Sequence, residues 1–174
     1  MSSLVKALLR SDDGVPTIEF MFNPTELTFE GVVETAENPG ALTQDKGQPK
    51  VSFSNVKAYK VTINKILFDT YEEGTDVIKT YIIPFRKAVE FVSGKQRPPI
   101  YTFIWGDQQY LRRCFVEKLT YKLTMFLPDG TPVRAVIDSL TLKEADEPKP
   151  NAPLSTPAPS SAARQTDSLE SRRQ

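Results

Sequence analysis

The polar and apolar positions of this chain fall mostly into short alternating runs. Residues 15–22, VPTIEFMF, are rich in β-branched and aromatic side chains and stop at the turn pair Asn23 and Pro24. The next run, TELTFEGVV, puts Leu27 and Phe29 on one face, so the two runs predict a hairpin. Residues 34–50 hold Pro39, Gly40, Gly47 and Pro49 and predict a long polar loop. Beyond it, VSFSNVK and AYKVTINKILF read as extended chain. Tyr59, Val61 and Ile63 alternate with Lys60 and Thr62, which gives one buried face and one wet face.

The period changes inside FDTYEEGTDVIKTY. Gly74 allows the backbone to change direction, Thr75 is the expected helix cap, and Asp76 in the first turn is favoured by the helix dipole. Val77, Ile78, Tyr81, Ile82, Phe85, Val89 and Val92 then recur at helical spacing and predict a helix over residues 75–91 with one stripe facing a sheet. Pro84 falls inside this pattern and should kink or divide the helix near Ile83.

Strand signals resume in PIYTFIWG, YLRRCFVEKL and TYKLTMFL. The turn formed by Pro128, Asp129 and Gly130 leads into TPVRAVIDSLTL, where Val133, Ala135, Ile137 and Leu140 line one side. With no helices between them, these strands predict an antiparallel meander. The expected class is mainly β with one flanking helix, built as an antiparallel β-barrel or sandwich.

Composition narrows the chemistry. Among 174 residues, 22 are Lys or Arg and 22 are Asp or Glu, so the chain lacks the basic surplus of a non-specific nucleic-acid binder, and self-association meets no net repulsion. There is no histidine and a single cysteine, Cys114, which excludes a zinc site of His/Cys type and an intrachain disulfide. The adjacent carboxylates Glu72 and Glu73 read as a solvated turn and not as an acid/base pair, because no nucleophile or ligand cluster accompanies them. Asp12 and Asp13, before Gly14, likewise read as a solvated turn. Cys114 reads as a small core or interface residue, although the neighbouring Arg113 could favour its thiolate. The lysines of VKAYKVTINK fit a wet strand face. No phosphate-binding glycine loop occurs. No catalytic residue, cofactor or metal is expected.

The N-terminal apolar patch is too short for a secretory signal, and no stretch reaches the roughly 20 apolar residues of a membrane-spanning helix. The expectation is synthesis and assembly in the cytoplasm. Residues 1–144 form the expected domain. Residues 145–174, rich in Pro, Ser and Ala and without an aromatic side chain, form an expected flexible tail.

Four segments, FMFNPTELTF, LFDTYEEGTDV, PPIYTFIWG and FLPDGTPVRAVI, in this order and at these separations, resemble the tube-like domain of contractile injection system tube proteins. More narrowly, they resemble the LysM-type baseplate adaptors of phage-tail-like particles. The resemblance implies a tail-tube fold assembled as a hexameric ring that joins the inner tube to the central hub or spike. It implies as partners further copies of the chain, the inner tube protein, the hub or spike and other baseplate subunits, without nucleic acid and without membrane insertion. Adaptors of this type continue into a glycan-binding LysM module; no such segment follows here, so peptidoglycan binding is not part of the expectation.

The positions carried over by the resemblance are architectural. They are Asn23 and Pro24 in the FNP turn, Asp69, Gly74, Thr75 and Asp76 at the strand-to-helix junction, Trp105 and Gly106 in the FxWG strand, and Asp129, Gly130 and Arg134 in the DGxPVRA hairpin. Arg112, Arg113 and Arg134 are candidate interface cations, since arginine suits paired recognition of carboxylates. Residues 34–50, as a long loop, are expected to make axial or neighbour contacts. An inner-tube or tube-initiator subunit is the nearest alternative. A stand-alone module that binds an extended peptide is the alternative from a different class.

Overall fold

The computed structural model describes residues 4–42 and 49–146. Strands hold 52% of the chain against one short helix, so the class read from the sequence is the one observed. The strands are β1 (Ala7–Ser11), β2 (Ile18–Glu19), β3 (Thr28–Glu30), β4 (Val33–Leu42), β5 (Pro49–Val56), β6 (Lys60–Asp69), β7 (Tyr101–Trp105), β8 (Gln108–Phe126) and β9 (Pro132–Glu144). Seven of them form one antiparallel sheet in the order β2-β1-β7-β8-β9-β6-β3, curled into a half-barrel. β4 and β5 pair with each other in a sheet of their own.

Four sequence expectations change. The predicted hairpin does not form: β2 pairs with β1 and β3 pairs with β6, which puts the two runs on opposite edges of the sheet. The predicted loop is instead largely a two-stranded arm, with residues 43–48 outside the described residues. Backbone pairing here overrides the local turn signals of Pro39, Gly40 and Pro49. The two runs 110–119 and 120–127 are one 19-residue strand, β8. Its first part pairs with β7 and its remainder with β9, with Cys114 facing Tyr101 on one side and Glu144 on the other. The helix is also shorter than predicted: a π-helical turn, Ile78–Ile82, is followed by α1, Ile83–Ala88.

Pro84 explains that division. It lies in the first turn of α1, where its missing N–H costs nothing. The wide turn before it closes through the Ile83 N–H to the Ile78 carbonyl. The predicted stripe shifts as a result. Val77, Ile82, Phe85 and Ala88 are buried, while Val89, at the end of α1, is 43% exposed. Phe85 lies 5.9 Å from the ring of Phe20 and 5.6 Å from that of Phe68, and Phe20 lies 6.2 Å from Phe103. These rings join the helix to both halves of the curled sheet. Fully burying each contributes about 1.5–3 kcal/mol.

Irregular strand residues keep the core continuous. Arg113, at φ 53, sits where the β7 and β8 register shifts by one residue, so Leu111 and Cys114 both face inward. Lys65, at φ 56, does the same in β6, where Ile63 and Ile66 are both buried. The exposed edge strand β3 returns toward the first part of β8 through Phe29, whose ring lies 6.1 Å from Tyr110.

Candidate functional site

The strand-to-helix junction is a small bonded unit at the end of β6. Asp69 Oδ2 accepts from Arg134 Nε at 2.8 Å and Nη2 at 2.6 Å, and Asp69 Oδ1 accepts from the Tyr71 N–H at 3.0 Å. The Tyr71 amide and then the Arg134 guanidinium hold this carboxyl below its ordinary range. Thr70 is 1% exposed and donates its hydroxyl to the Thr75 carbonyl at 2.5 Å, with the Val133 carbonyl at 3.2 Å. Gly74 takes φ 62, as expected of the residue that turns the chain.

The cap is Asp76, not Thr75. Its Oδ1 accepts from the N–H groups of Ile78 at 2.8 Å and Lys79 at 3.3 Å, while Thr75 takes part through its carbonyl. Glu72 and Glu73 are exposed in the turn.

The neighbouring hairpin places Asp129 and Gly130 at the same end of the sheet, since Thr70 pairs through its N–H with Val133 at the start of β9. Gly130 has φ 87, and the Asp129 carboxylate accepts from the Thr131 N–H at 2.9 Å. That bond, first among its interactions, lowers the carboxyl from its ordinary value.

The FNP turn works elsewhere, at the start of β1. Asn23 accepts at Oδ1 from the Ala7 N–H at 2.9 Å and donates from Nδ2 to the Val5 carbonyl at 2.8 Å. Its side-chain amide thus extends the pairing of β1 by one strand-like step beyond β2, and Pro24 is buried beside it. Trp105 is partly buried against the core, and Gly106, at φ 65, begins the two-residue turn into β8. Arg112 is exposed. Arg113 is partly buried, with Nη2 3.5 Å from the Asp146 carbonyl and a buried Nε that has no partner. The structure therefore brings Asp69, Thr75, Asp76 and Arg134 together with the 129–130 turn, and keeps Asn23, Trp105, Gly106, Arg112 and Arg113 apart from them.

The reading of Asp13 as solvated is overturned. Its side chain is 5% exposed and clasped by Arg97, with Nη1 on Oδ2 at 2.6 Å and Nη2 on Oδ1 at 2.9 Å. Lys95 Nζ on Oδ1 at 2.6 Å and the Ile100 N–H on Oδ2 at 2.7 Å complete it. These donors, Arg97 first, hold the Asp13 carboxyl far below its usual range. Its partners lie more than eighty residues away, so no local sequence signal announces the pairing. Asp12 also faces inward enough to accept from Thr102 Oγ1 at 3.3 Å.

Two further surfaces have no sequence signature. A groove of about 660 Å³ lies where β6 begins and β9 ends, lined in part by Lys57, Lys60, Arg97, Pro98, Phe115 and Lys143. The arm exposes Phe53 at 80% and Val56 at 78% of their surfaces. Cys114 is fully buried, and burial pushes its thiol up to about 12, which leaves no nucleophile there. Among the described residues, no group of three or more acidic, cysteine or histidine side chains could hold a metal ion, and no helix is long and apolar enough to cross a membrane.

Paired hairpins, a sheet with open edges, a projecting arm and no convergent polar centre define an assembly component. The family model of the contractile injection system tube protein matches residues 5–152, and the chain belongs to that family: it is a tube-like structural protein of a contractile injection system. No curated protein matches it.

Proposed function

We propose that this chain forms a hexameric ring in the baseplate of a phage-tail-like particle and joins the inner tube to the central hub or spike. It acts there by packing and not as an enzyme. The observation that carries the reading is the arm. Strands β4 and β5 pair only with each other, and Phe53, Val56 and Val33, the last 53% exposed, stand outside the core. Apolar side chains on a paired but otherwise unsupported hairpin are expected to be covered by a neighbour. The arm thus takes the contact role anticipated for residues 34–50. In this reading residues 1–144 are the ring body, and residues 145–174, which from 147 on lie outside the described residues, are a tether. The junction around Asp69 and Arg134 fixes how the helix leaves the sheet.

A second reading, an inner-tube subunit stacked in many copies, is favoured by the family description itself, which is that of a tube protein. Electron microscopy of particles purified from the native source separates the two. One sixfold layer between tube and spike is the expected result. Repeated layers along the tube give the second reading, and absence of the chain from particles overturns both. Replacing the arm by a short turn should abolish ring formation, and rings formed without it would remove the arm from the interface.

A further inference from the structure

The turn after β6 presents Tyr71, 51% exposed, beside the exposed Glu72 and Glu73, and neither carboxylate has an ion-pair partner among the described residues. Asp129, exposed in the adjoining hairpin turn, adds a third carboxylate to the same end. At the other end of β6 lies the groove, whose lining carries four cations, Lys57, Lys60, Arg97 and Lys143, against two carboxylates, Glu144 and Asp146. Lys60 and Lys143 share one anion, Glu117, at 2.8 and 3.5 Å, so that pair of lysines keeps an excess positive charge. Between the rim cations the lining is apolar, with Pro98, Ile100 and Phe115. One end of the strand therefore offers an aromatic ring flanked by acids, and the other offers an apolar floor flanked by bases.

The two cannot meet within one molecule. β6 runs ten residues from Lys60 to Asp69, and at a rise of about 3.3 Å per residue its ends are about 30 Å apart. We propose that the tip formed by Tyr71, Glu72 and Glu73 of one copy seats in the groove of the next copy. The tyrosine ring covers the apolar floor with its hydroxyl at the wet rim, and the two carboxylates face the lysines. The occupant is a second copy of this chain, on the argument of charge and apolar complementarity between two surfaces of the same molecule. The contact is head-to-tail, so it closes into a ring where the rotation per step closes and continues as a stack where it does not. This inference rests on the self-assembly reading above and names the surfaces that meet.

The test uses the full chain carrying Glu72→Cys on the tip and Ala58→Cys on the groove, oxidised under assembly conditions. Because the two positions are too far apart to bridge within a copy, contact between copies gives a ladder of disulfide-linked multimers. Each single variant stays unlinked by this route, and the buried Cys114 does not contribute. The linked fraction should fall when Glu73→Lys or Tyr71→Ala is added and when salt is raised. Assemblies that form without a ladder overturn this inference and leave the self-assembly reading standing. No assembly at all overturns both. A ladder unchanged by Glu73→Lys and Tyr71→Ala removes the tip as the recognition element. Saturation of the groove by an acidic peptide of another protein, with the ladder absent, assigns it to a different partner.

Discussion

Replacing Asp13 by Ala removes the acceptor of four hydrogen bonds, two from Arg97, one from Lys95 and one from the Ile100 N–H. A hydrogen bond to a charged group nets about 1.5–3 kcal/mol, and a buried N–H left without a partner costs about 1–3 kcal/mol. The terms do not add. Arg97 and Lys95 are 40% and 42% exposed and recover water when the carboxylate is gone, whereas the Ile100 amide, in a residue only 4% exposed, does not. The expected loss is about 2–3 kcal/mol, dominated by the amide and the paired guanidinium. For a chain of this size that is a fall in Tm of about 4–12 °C.

The measurement is urea unfolding followed by circular dichroism, with Asp12→Ala as control. The control loses a single 3.3 Å bond and should cost about 1 kcal/mol or less. A change below about 0.5 kcal/mol for Asp13→Ala would refute the buried clasp and restore a solvated turn. The pH dependence has a definite sign. The folded carboxyl is depressed relative to its unfolded value of about 3.9, so its contribution is present above about pH 5 and drains as the pH falls. The stability gap between the natural chain and the variant should be widest near neutrality and close under acid. A gap that widened toward low pH would contradict the assignment.

Three further outcomes follow from single residues. Asn23→Ala should cost about 1–2 kcal/mol by unpairing the Ala7 N–H and Val5 carbonyl, and hydrogen exchange at Ala7 should accelerate; unchanged exchange would mean the amide is not held by this side chain. Thr70→Val keeps the shape but removes the bond to the Thr75 carbonyl. It should lower stability by about 1–2 kcal/mol and loosen the junction, and an unaltered melting curve would show that this hydroxyl is not needed. Cys114 should resist thiol reagents at pH 8 in the folded chain and react fully in denaturant; rapid labelling of the native protein would place it at the surface.

The sequence carried the alternating strands well where each has one wet face, as in Val133, Ala135 and Ile137, all buried as expected. The division at Pro84 was legible because proline acts through its own ring and missing amide, independent of tertiary context. Partner choice was not legible. The runs around Asn23 look like a hairpin because they are adjacent, yet their polar turn serves β1, and their strands pair with β1 and β6. Residues 34–50 carry turn residues, and only pairing across the arm makes most of them strand. At the junction, either Thr75 or Asp76 has the chemistry of a cap, and which carboxylate or hydroxyl meets the free amides depends on a backbone direction that Gly74 leaves open. Asp13 shows the limit most clearly, since its burial depends on Lys95 and Arg97 arriving from another part of the chain.

The central position of β7 has a kinetic consequence. β1 cannot complete its pairing until Leu9 meets Phe103, 94 residues later, and β6 waits for β9, whose residue Leu142 pairs with Val61. A ribosome that has released only the first hundred residues has therefore produced strands without their neighbours, and the apolar sides of β1 and β6 stay uncovered during that interval. Contacts of such long sequence separation slow folding because loop closure must come before the pairing that rewards it. The order of synthesis thus sets the order of events: the arm, whose strands are adjacent, can pair early, and the curled sheet closes only after β8 and β9 have emerged. A subunit built this way presents its arm before its body is complete, so the supply of finished bodies, and not of arms, sets the pace at which copies can join.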